Sequence, residues 1–279
     1  MNKIIGGMAK PNGVMFLSDT RFSATAKDID GEYEILQEKH PDKPKWLDLL
    51  SKIPILRGLL LPVNIWWQLK DDEKFKQFSK QDFLLSFAIL SLICLPFVFL
   101  GHFYFVGLLK NIISLLPIIM IYILGIIGFS FQIENQKYHG AEHKVAKAFL
   151  KLKTIPSINE AKQFSRLHPS CGTGLVANWL MLLIMLSLLF PTLNFFLLCL
   201  SIEVISAELA VLSKYGLLGK VLNVSGLLLQ LATTKEPDEK HLKTAILAGK
   251  YASELIEDTN LPRTLQFKTF EEALINSNP

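Results

Sequence analysis

Long runs of apolar residues set the limits on what this chain can fold into. Two runs, Phe83 to about Val106 and Ile112 to Phe131, are nearly free of charge and approach the ~20 residues needed to cross a bilayer core. A third run, Leu175 to Phe190, and a fourth, Leu193 to Leu212, are separated by Pro191. Because half of the residues are apolar and the mean hydropathy is positive, the pattern predicts four membrane-spanning helices. A buried helical core of a soluble protein is the alternative.

Basic residues lie on one side of these runs. Four lysines precede the first run, and seven basic residues separate the second run from the third: Lys137, Lys144, Lys147, Lys151, Lys153, Lys162 and Arg166. The positive-inside rule then places both termini and the 132–173 loop on the cytoplasmic side of a plasma membrane. The lipid bilayer is the expected partner, and homo-oligomerisation is left open. Nucleic acid is not expected, because no basic stripe with interleaved aromatic residues is present.

The segments outside the apolar runs complete the predicted organisation. Short runs at 13–18, 21–27 and 32–37, with a hairpin signal at Asp30-Gly31, predict a small β unit. The predicted fold class is mainly α, a polytopic membrane protein with about four transmembrane helices. The predicted segments are a cytoplasmic β cap at 1–43, interfacial or re-entrant helices at 44–81, a transmembrane hairpin at 82–131, a cytoplasmic site loop at 132–173, a second hairpin at 174–213, and a short interfacial helix followed by a cytoplasmic helix at 214–279.

Two histidines and a carboxylate occur within five residues in His139-Gly-Ala-Glu142-His143. The surrounding sequence predicts a helix, on which residues at i, i+3 and i+4 share one face. Such a face holds a metal ion in the inverted H-x-x-E-H zinc hydrolases, where the carboxylate orients water or accepts its proton. The motif therefore predicts His139 and His143 as metal ligands and Glu142 as the catalytic base. Surface histidines beside an apolar helix face are the alternative.

A second cluster brings another imidazole and a thiol into the long polar loop between apolar runs. His168 precedes a proline, which holds it extended, and Cys171 precedes a glycine, which predicts a turn. The two clusters together predict a site for a divalent metal, with zinc expected, formed by His139, His143, His168 and Cys171. A closed site of this kind is structural, whereas a catalytic site keeps one position open. The alternative is that His168 and Cys171 cap the next helix through local hydrogen bonds.

Glu203 stands inside the fourth apolar run, where an ionised side chain costs about 2.5 to 3.5 kcal/mol on membrane-insertion scales. It is a candidate additional metal ligand, a partner for Arg57 or part of a proton path. Glu208 is nearer the end of the run, where snorkelling is a sufficient explanation. Arg57 and Lys144 are candidate contacts to substrate or lipid. For Arg57, the alternative is that it anchors to lipid headgroups. For Lys144, the alternative is that it is only one of the basic residues that set the membrane topology.

Several segments match those of a known family. Tyr138-His-Gly-Ala-Glu-His-Lys144 and His168-Pro-x-Cys-Gly-Thr173 resemble its two signature segments, and Thr233-Thr-Lys-Glu-Pro237 resembles its C-terminal signature. The family is the bacterial YqhQ-like family of multispanning membrane proteins, a domain of unknown function. The resemblance covers nearly the whole chain and implies the membrane fold. Because the family is sometimes labelled a predicted metal-dependent enzyme, it also allows a metal-dependent activity.

The N-terminal segment departs from this family pattern. Gly6-Gly7 matches it, but Met8, Asn12 and Leu17 replace the family's usual Gln, Glu and Arg. We therefore do not expect this chain to have the roles that those polar side chains play in the family.

Two classes of function remain. In the first, the chain is a zinc-dependent membrane hydrolase that acts on a lipid or peptide substrate at the cytoplasmic membrane surface. In the second, it is a non-catalytic membrane scaffold or transport component with a structural His/Cys site. A membrane di-iron oxidase fits less well, because it needs more carboxylates at E-x-x-H spacing than this loop offers.

Overall fold

The computed structural model describes residues 2–40, 42–60, 63–64, 67, 132–169, 171–190, 195–212, 216–254 and 261–276. Their contacts group into two units. The first unit comprises Met1–Asp42, Gly128–His168 and Gln230–Pro279, and the second comprises Lys43–Ile127 and Pro169–Leu229. The first unit is therefore formed by three separate segments of the chain, and two segments of the second unit lie between them in sequence.

The first unit contains a five-stranded antiparallel sheet in which the strands lie in chain order. The strands are β1 Ile4–Lys10, β2 Gly13–Ser18, β3 Phe22–Ile29, β4 Glu32–Lys39 and β5 Arg263–Phe267. The predicted hairpin at Asp30-Gly31 is confirmed, since φ is +55° and +93° at these residues, as a two-residue type I′ turn requires. The three predicted strand runs coincide with β2, β3 and β4.

Two long helices cover one face of this sheet. They are α3 Ile133–Leu152 and α8 Glu239–Glu254, and the short helices α4 Ile158–Lys162 and α9 Phe270–Ile275 also belong to this unit. Val14, Ala26 and Ile35 lie side by side on adjacent strands and are fully buried, as the alternation of side chains along a strand requires. The C-terminal helix α8 packs on β2 and β3 of this sheet.

The second unit is helical in its described part. Its elements are α1 Lys45–Leu50, α2 Leu56–Leu59, α5 Gly172–Leu189, α6 Phe195–Leu212 and most of α7 Gly216–Thr233. Leu182 and Leu183 on α5 pack with Ile202 on α6 in a small apolar cluster. Gly58 on α2 packs closely on α6, because a Cβ there would lie 2.5 Å from Val204 Cα.

The predicted fold class is wrong. Where the structure describes the chain, it contains no helix that combines the length and the apolar character needed to cross a membrane. The third and fourth apolar runs form α5 and α6, which contain the polar side chains of Asn178, Glu203 and Glu208. The first two runs, 83–106 and 112–131, lie outside the described residues. The predicted fold class gave more weight to the apolar runs than to the strand patterns, although the strands form the sheet of the first unit.

Candidate metal centre

Helix α3 carries both histidines and the carboxylate of the predicted motif. Its apolar side, with Tyr138, Ala141 and Val145, packs into the core under the sheet. Glu142 and His143 are nevertheless buried as well, with 8% and 2% of their surface exposed. The helix is thus enclosed on more than its apolar face, and the alternative of exposed surface histidines does not hold for His143.

Backbone carbonyls fix the protonation state of the two imidazoles. His139 Nδ1 donates to the carbonyl of Thr233 at 3.0 Å, and His143 Nδ1 donates to the carbonyl of Arg166 at 2.5 Å. A carbonyl oxygen only accepts, so in each neutral ring Nδ1 carries the proton and Nε2 carries the lone pair. The ligand atoms of the two histidines lie within 4.8 Å of each other. This is the tautomer in which Nε2 binds a metal ion.

The Nε2 atom of His143 is buried and has no hydrogen-bond partner among the described residues. A buried polar atom without a partner is costly, typically about 1 to 3 kcal/mol. Its polar neighbour is Glu142 Oε2, 3.5 Å away. A nitrogen lone pair and a carboxyl oxygen therefore lie side by side among buried atoms.

Burial shifts the pKa of each of these groups toward its neutral form. Desolvation raises the pKa of Glu142 from 4.5 to about 8. Desolvation lowers the pKa of His143 to about 3, with a contribution from nearby His139, and that of His168 to about 4. Desolvation also lowers the pKa of His139. The contact between Glu142 and His143 is therefore an uncharged contact at neutral pH, not an ion pair.

Strand β1 provides the space for the Glu142 carboxylate. A Cβ at Gly7 would lie 2.4 Å from Glu142 Oε1 and 2.8 Å from Cε1 of Phe16, both far inside van der Waals contact. A Cβ at the neighbouring Gly6 would meet nothing within 4 Å. Gly7 is therefore the residue that lets the carboxylate pack against the sheet.

The glycine between the two histidines has a similar function on another side of α3. A Cβ at Gly140 would lie 2.1 Å from the carbonyl oxygen of Lys235, whose own N–H donates to the carbonyl of Gln136 at 3.0 Å. The segment after α7 thus runs directly over Gly140. This close approach places the carbonyl of Thr233 where His139 reaches it.

Three side chains of α3 donate hydrogen bonds to backbone carbonyls of the loop that follows this helix. His143 donates to Arg166, Lys147 Nζ donates to the carbonyl of Leu167, and Lys144 Nζ donates to the carbonyl of Lys162 at 3.1 Å. These bonds bring His168 to the motif, with 5.5 Å between the ring centroids of His143 and His168. The rings of His139 and His143 are 4.4 Å apart.

Gln230 in the last turn of α7 fixes the backbone of His168. The His168 N–H donates to Gln230 Oε1 at 2.7 Å, and Gln230 Nε2 donates to the His168 carbonyl at 2.8 Å. Only 1% of the surface of Gln230 is exposed. Its side chain therefore holds the third imidazole in place in the first unit.

The remaining predicted site residues have other surroundings. Lys144 is buried and forms an ion pair with Glu236 at 2.5 Å, so its ammonium group serves the packing of the first unit. Cys171 belongs to the second unit, where it is half-buried at the start of α5 and accepts a hydrogen bond from Thr173 Oγ1 at 3.2 Å. Cys171 is the N-cap residue of α5, but its side chain makes no capping hydrogen bond to this helix, so the local capping alternative is not supported for Cys171. Its role as a metal ligand stays a prediction.

The polar groups of the fourth apolar run are arranged differently from the prediction. Arg57 binds Glu208, with its Nε 2.7 Å from Glu208 Oε1, and Nη2 contacts the other carboxylate oxygen. The Ile55 N–H also donates to Glu208, at 3.0 Å. Glu203 is half-buried on the same helix, and burial raises its pKa. The role of Glu203 as a ligand or proton carrier stays a prediction.

Comparison with known proteins assigns the chain to a family. Residues 64–255 match the model of a family described as "Protein of unknown function (DUF1385)". The chain belongs to the DUF1385 family. It is also 29% identical over 288 residues to the "Uncharacterized protein YqhQ" of Bacillus subtilis (strain 168), covering 86% of this chain and 89% of the relative. No solved structure matches the chain. The predicted resemblance to YqhQ-like proteins is therefore confirmed as a family relationship.

Several residues of this DUF1385 chain contribute to the site but were not among the predicted site residues. Gly7 makes room for Glu142, Gln230 holds His168, and Arg166 supplies the carbonyl that receives the His143 proton. Of these, Gly7 belongs to the Gly6-Gly7 segment that resembles the family pattern. The roles of these residues depend on contacts between segments that are far apart in the chain.

Proposed function

We propose that this chain binds a divalent metal ion through His139, His143 and Glu142, with His168 as a further donor. The observation that carries the proposal is the buried Nε2 of His143, which bears a lone pair and lacks a hydrogen-bond partner among the described residues. Buried polar atoms without partners are rare in folded proteins, and a missing ion is one reason for such an atom. Binding an ion there would satisfy it.

The donor set and its spacing fit a zinc-type ion. Imidazole nitrogens and a carboxylate oxygen are ordinary zinc ligands, at about 2.0 to 2.2 Å from the ion. Two tetrahedral ligands at those distances lie about 3.4 Å apart. The 3.5 Å between His143 Nε2 and Glu142 Oε2 therefore suits two neighbouring ligands of one ion. This spacing supports Glu142 as a ligand in addition to its sequence-based interpretation as a base.

We further propose that the site is hydrolytic. A bound ion in such a site acts as a Lewis acid and lowers the pKa of water. His139 and His143 would bind the ion through Nε2, because each Nδ1–H donates to a backbone carbonyl. Glu142 would bind the ion or accept a proton from water beside it. His139 and His168 are half-buried and not fully enclosed, so a substrate would approach from their side.

A purely structural site is the second candidate. It is favoured by the burial of His143 and Glu142, because closed structural sites exclude water whereas catalytic sites keep a position open. The two candidates differ in the effect of chelation. A structural ion stabilises the fold, so its removal lowers the midpoint of thermal unfolding, whereas the loss of a hydrolytic ion abolishes activity with a smaller effect on stability.

Elemental analysis of the purified full-length protein tests the metal proposal. Wild type should contain about one equivalent of zinc or another divalent metal, and His143→Ala should contain none. His241→Asn is the matched control, since His241 is a fully buried histidine of the same unit that contacts Glu134 at 3.0 Å. It should keep the metal. Folded wild type that contains no metal and takes up none from added zinc would exclude the proposal.

Activity is tested on the metal-loaded protein with ester, phosphoester and peptide substrates. We expect turnover that is lost on chelation and on His143→Ala but retained by His241→Asn. A protein that binds zinc, melts earlier without it and hydrolyses none of these classes would support the structural role. The lipid or peptide substrate, the plasma-membrane location with both termini cytoplasmic, and homo-oligomerisation stay predictions.

A further inference from the structure

Arg166 connects the two carbonyl groups that receive the histidine protons. Its own carbonyl accepts from His143 Nδ1. Its guanidinium Nη1 donates to both the carbonyl and the hydroxyl oxygen of Thr234, the latter at 2.7 Å. The adjacent residue Thr233 supplies the carbonyl that accepts from His139 Nδ1. One residue therefore joins the acceptor of one imidazole to the segment that carries the acceptor of the other.

The same connection extends to the third imidazole. Thr234 is fully buried, and its hydroxyl donates to the carbonyl of Gln230 at 2.7 Å. Gln230 in turn makes two hydrogen bonds to the backbone of His168. Arg166, Thr234 and Gln230 thus form one continuous network behind His139, His143 and His168.

We propose that Arg166 is a positioning residue for the histidine site, which acts by holding both imidazoles in the tautomer that presents Nε2. The inference rests on the proposed metal site, but it concerns the protein before any ion binds. A planar guanidinium suits this role because it donates to two oxygens of one residue at fixed angles. An ammonium group has no such fixed geometry. Arg166→Lys should therefore replace it only in part.

Outer-shell hydrogen bonds of this type typically change metal affinity by about 10- to 100-fold when they are removed. The expected effect of Arg166→Met is a loss of zinc or cobalt affinity within this range. Arg263→Met is the matched control. Arg263 is an arginine of the same unit that donates to Gln37 Oε1 at 2.7 Å, on β5, away from the histidines. It should leave the affinity within twofold of wild type.

Histidine-ring NMR on the metal-free protein provides the decisive measurement, because it does not require metal binding. In wild type, His139 and His143 should each give the nitrogen shifts of a neutral ring protonated at Nδ1. In Arg166→Met, the two rings should show averaged shifts from exchange between tautomers, with Arg166→Lys intermediate and Arg263→Met unchanged. Unchanged tautomers in Arg166→Met, together with unchanged cobalt affinity, would overturn the inference.

Two further arms keep the test decisive. If Arg166→Met does not fold, Thr234→Val replaces it, because this change removes the hydroxyl that accepts from Arg166 and donates to Gln230. Loss of the fixed tautomers in folded Thr234→Val supports the network, and their retention with wild-type affinity overturns it. If wild type binds no metal, the proposed function fails, while the tautomer measurement still decides the role of Arg166.

Discussion

The side-chain amide of Gln230 pairs with the backbone of His168 as a neighbouring β-strand would, with one N–H···O bond in each direction. His168 precedes a proline, and Gln230 provides hydrogen-bond partners for both backbone polar groups of this loop residue. A buried glutamine thus gives a loop histidine the fixed position that His139 and His143 obtain from α3.

Replacement of Gln230 should weaken the site. Gln230→Met conserves the approximate volume but removes both hydrogen bonds to His168. We expect metal affinity to fall about tenfold or more, as for other losses of outer-shell hydrogen bonds. Cobalt titration monitored by absorption measures this change. Gln163→Met is the control, because the exposed Gln163 bonds to α4 through its backbone N–H. Equal affinities of the two variants would contradict the role of Gln230.

The two adjacent glycines of β1 should respond differently to alanine. Gly7→Ala forces a Cβ to 2.4 Å from Glu142 Oε1, whereas Gly6→Ala meets nothing within 4 Å. Overpacking of this kind costs about 1 to 3 kcal/mol. Chemical denaturation should show that loss in Gly7→Ala and a change below about 0.5 kcal/mol in Gly6→Ala. If both variants unfold at the same denaturant concentration, the carboxylate does not pack against Gly7.

Gly140 should tolerate no side chain, although it is in the middle of a helix. Alanine usually stabilises a helix interior relative to glycine by about 1 kcal/mol. At Gly140 the added Cβ would lie 2.1 Å from the carbonyl of Lys235, so the 233–237 segment would have to move. We expect Gly140→Ala to be destabilised and to bind metal less tightly. Gly172→Ala, with nothing within 4 Å, is the control in thermal unfolding, and a stabilised Gly140→Ala would disprove the contact.

The buried carboxyl of Glu142 should make the metal-free protein less stable as pH rises. Its pKa in the folded protein is about 8, above the ordinary 4.5, so its protonated form contributes stability that is complete below pH 4.5 and is lost progressively up to about pH 8. Metal-free Glu142→Gln stays neutral and should be more stable than wild type at pH 7, by up to about 3 kcal/mol. The difference should vanish near pH 4. Denaturation across this pH range measures this difference in stability, and a difference that stays constant from pH 4 to pH 8 would contradict the raised pKa of Glu142.

The ion pair between Arg57 and Glu208 should give the opposite pH dependence in the second unit. The hydrogen bond from Arg57 lowers the pKa of Glu208 below 4.5, so its stabilisation is present above that pH and is lost as pH falls through the lowered pKa. Glu208→Gln should cost about 1 to 3 kcal/mol at pH 7 and less in acid. The exposed Asp48–Lys52 pair provides the control, because Asp48→Asn should cost less than about 0.5 kcal/mol. A Glu208→Gln effect that is constant with pH would contradict this assignment.

The parts that could be predicted from the sequence are those specified by neighbouring residues. Asp30-Gly31 predicts its hairpin because both residues readily adopt positive φ, and the spacing of His139, Glu142 and His143 places them together on one helix. The strand Arg263–Phe267 was missed, because its pairing with β4 depends on residues more than 220 positions away and only Phe267 is buried. Local pattern carries no information about such a partner.

The hydrogen-bond partners of the histidines could also not be predicted from the local sequence pattern. Their hydrogen-bond acceptors are the backbone carbonyls of Thr233 and Arg166, and a carbonyl is present at every residue whatever its side chain. The sequence also indicated that the apolar runs span a membrane. Hydropathy counts apolar residues, but it does not show that a polar side chain within such a run, Glu208, is paired with Arg57.

The order in which the sheet and its helices occur along the chain affects when the site can form during synthesis. Strands β1 to β4 leave the ribosome early, but β5, α8 and the carbonyl of Thr233 follow roughly 200 residues later. At translation rates of about 5 to 20 residues per second, the first four strands wait at least ten seconds before α8 and β5 complete the sheet and its cover. The acceptor of the His139 Nδ1–H is therefore in place only after those segments arrive, and the proposed metal site can form only then.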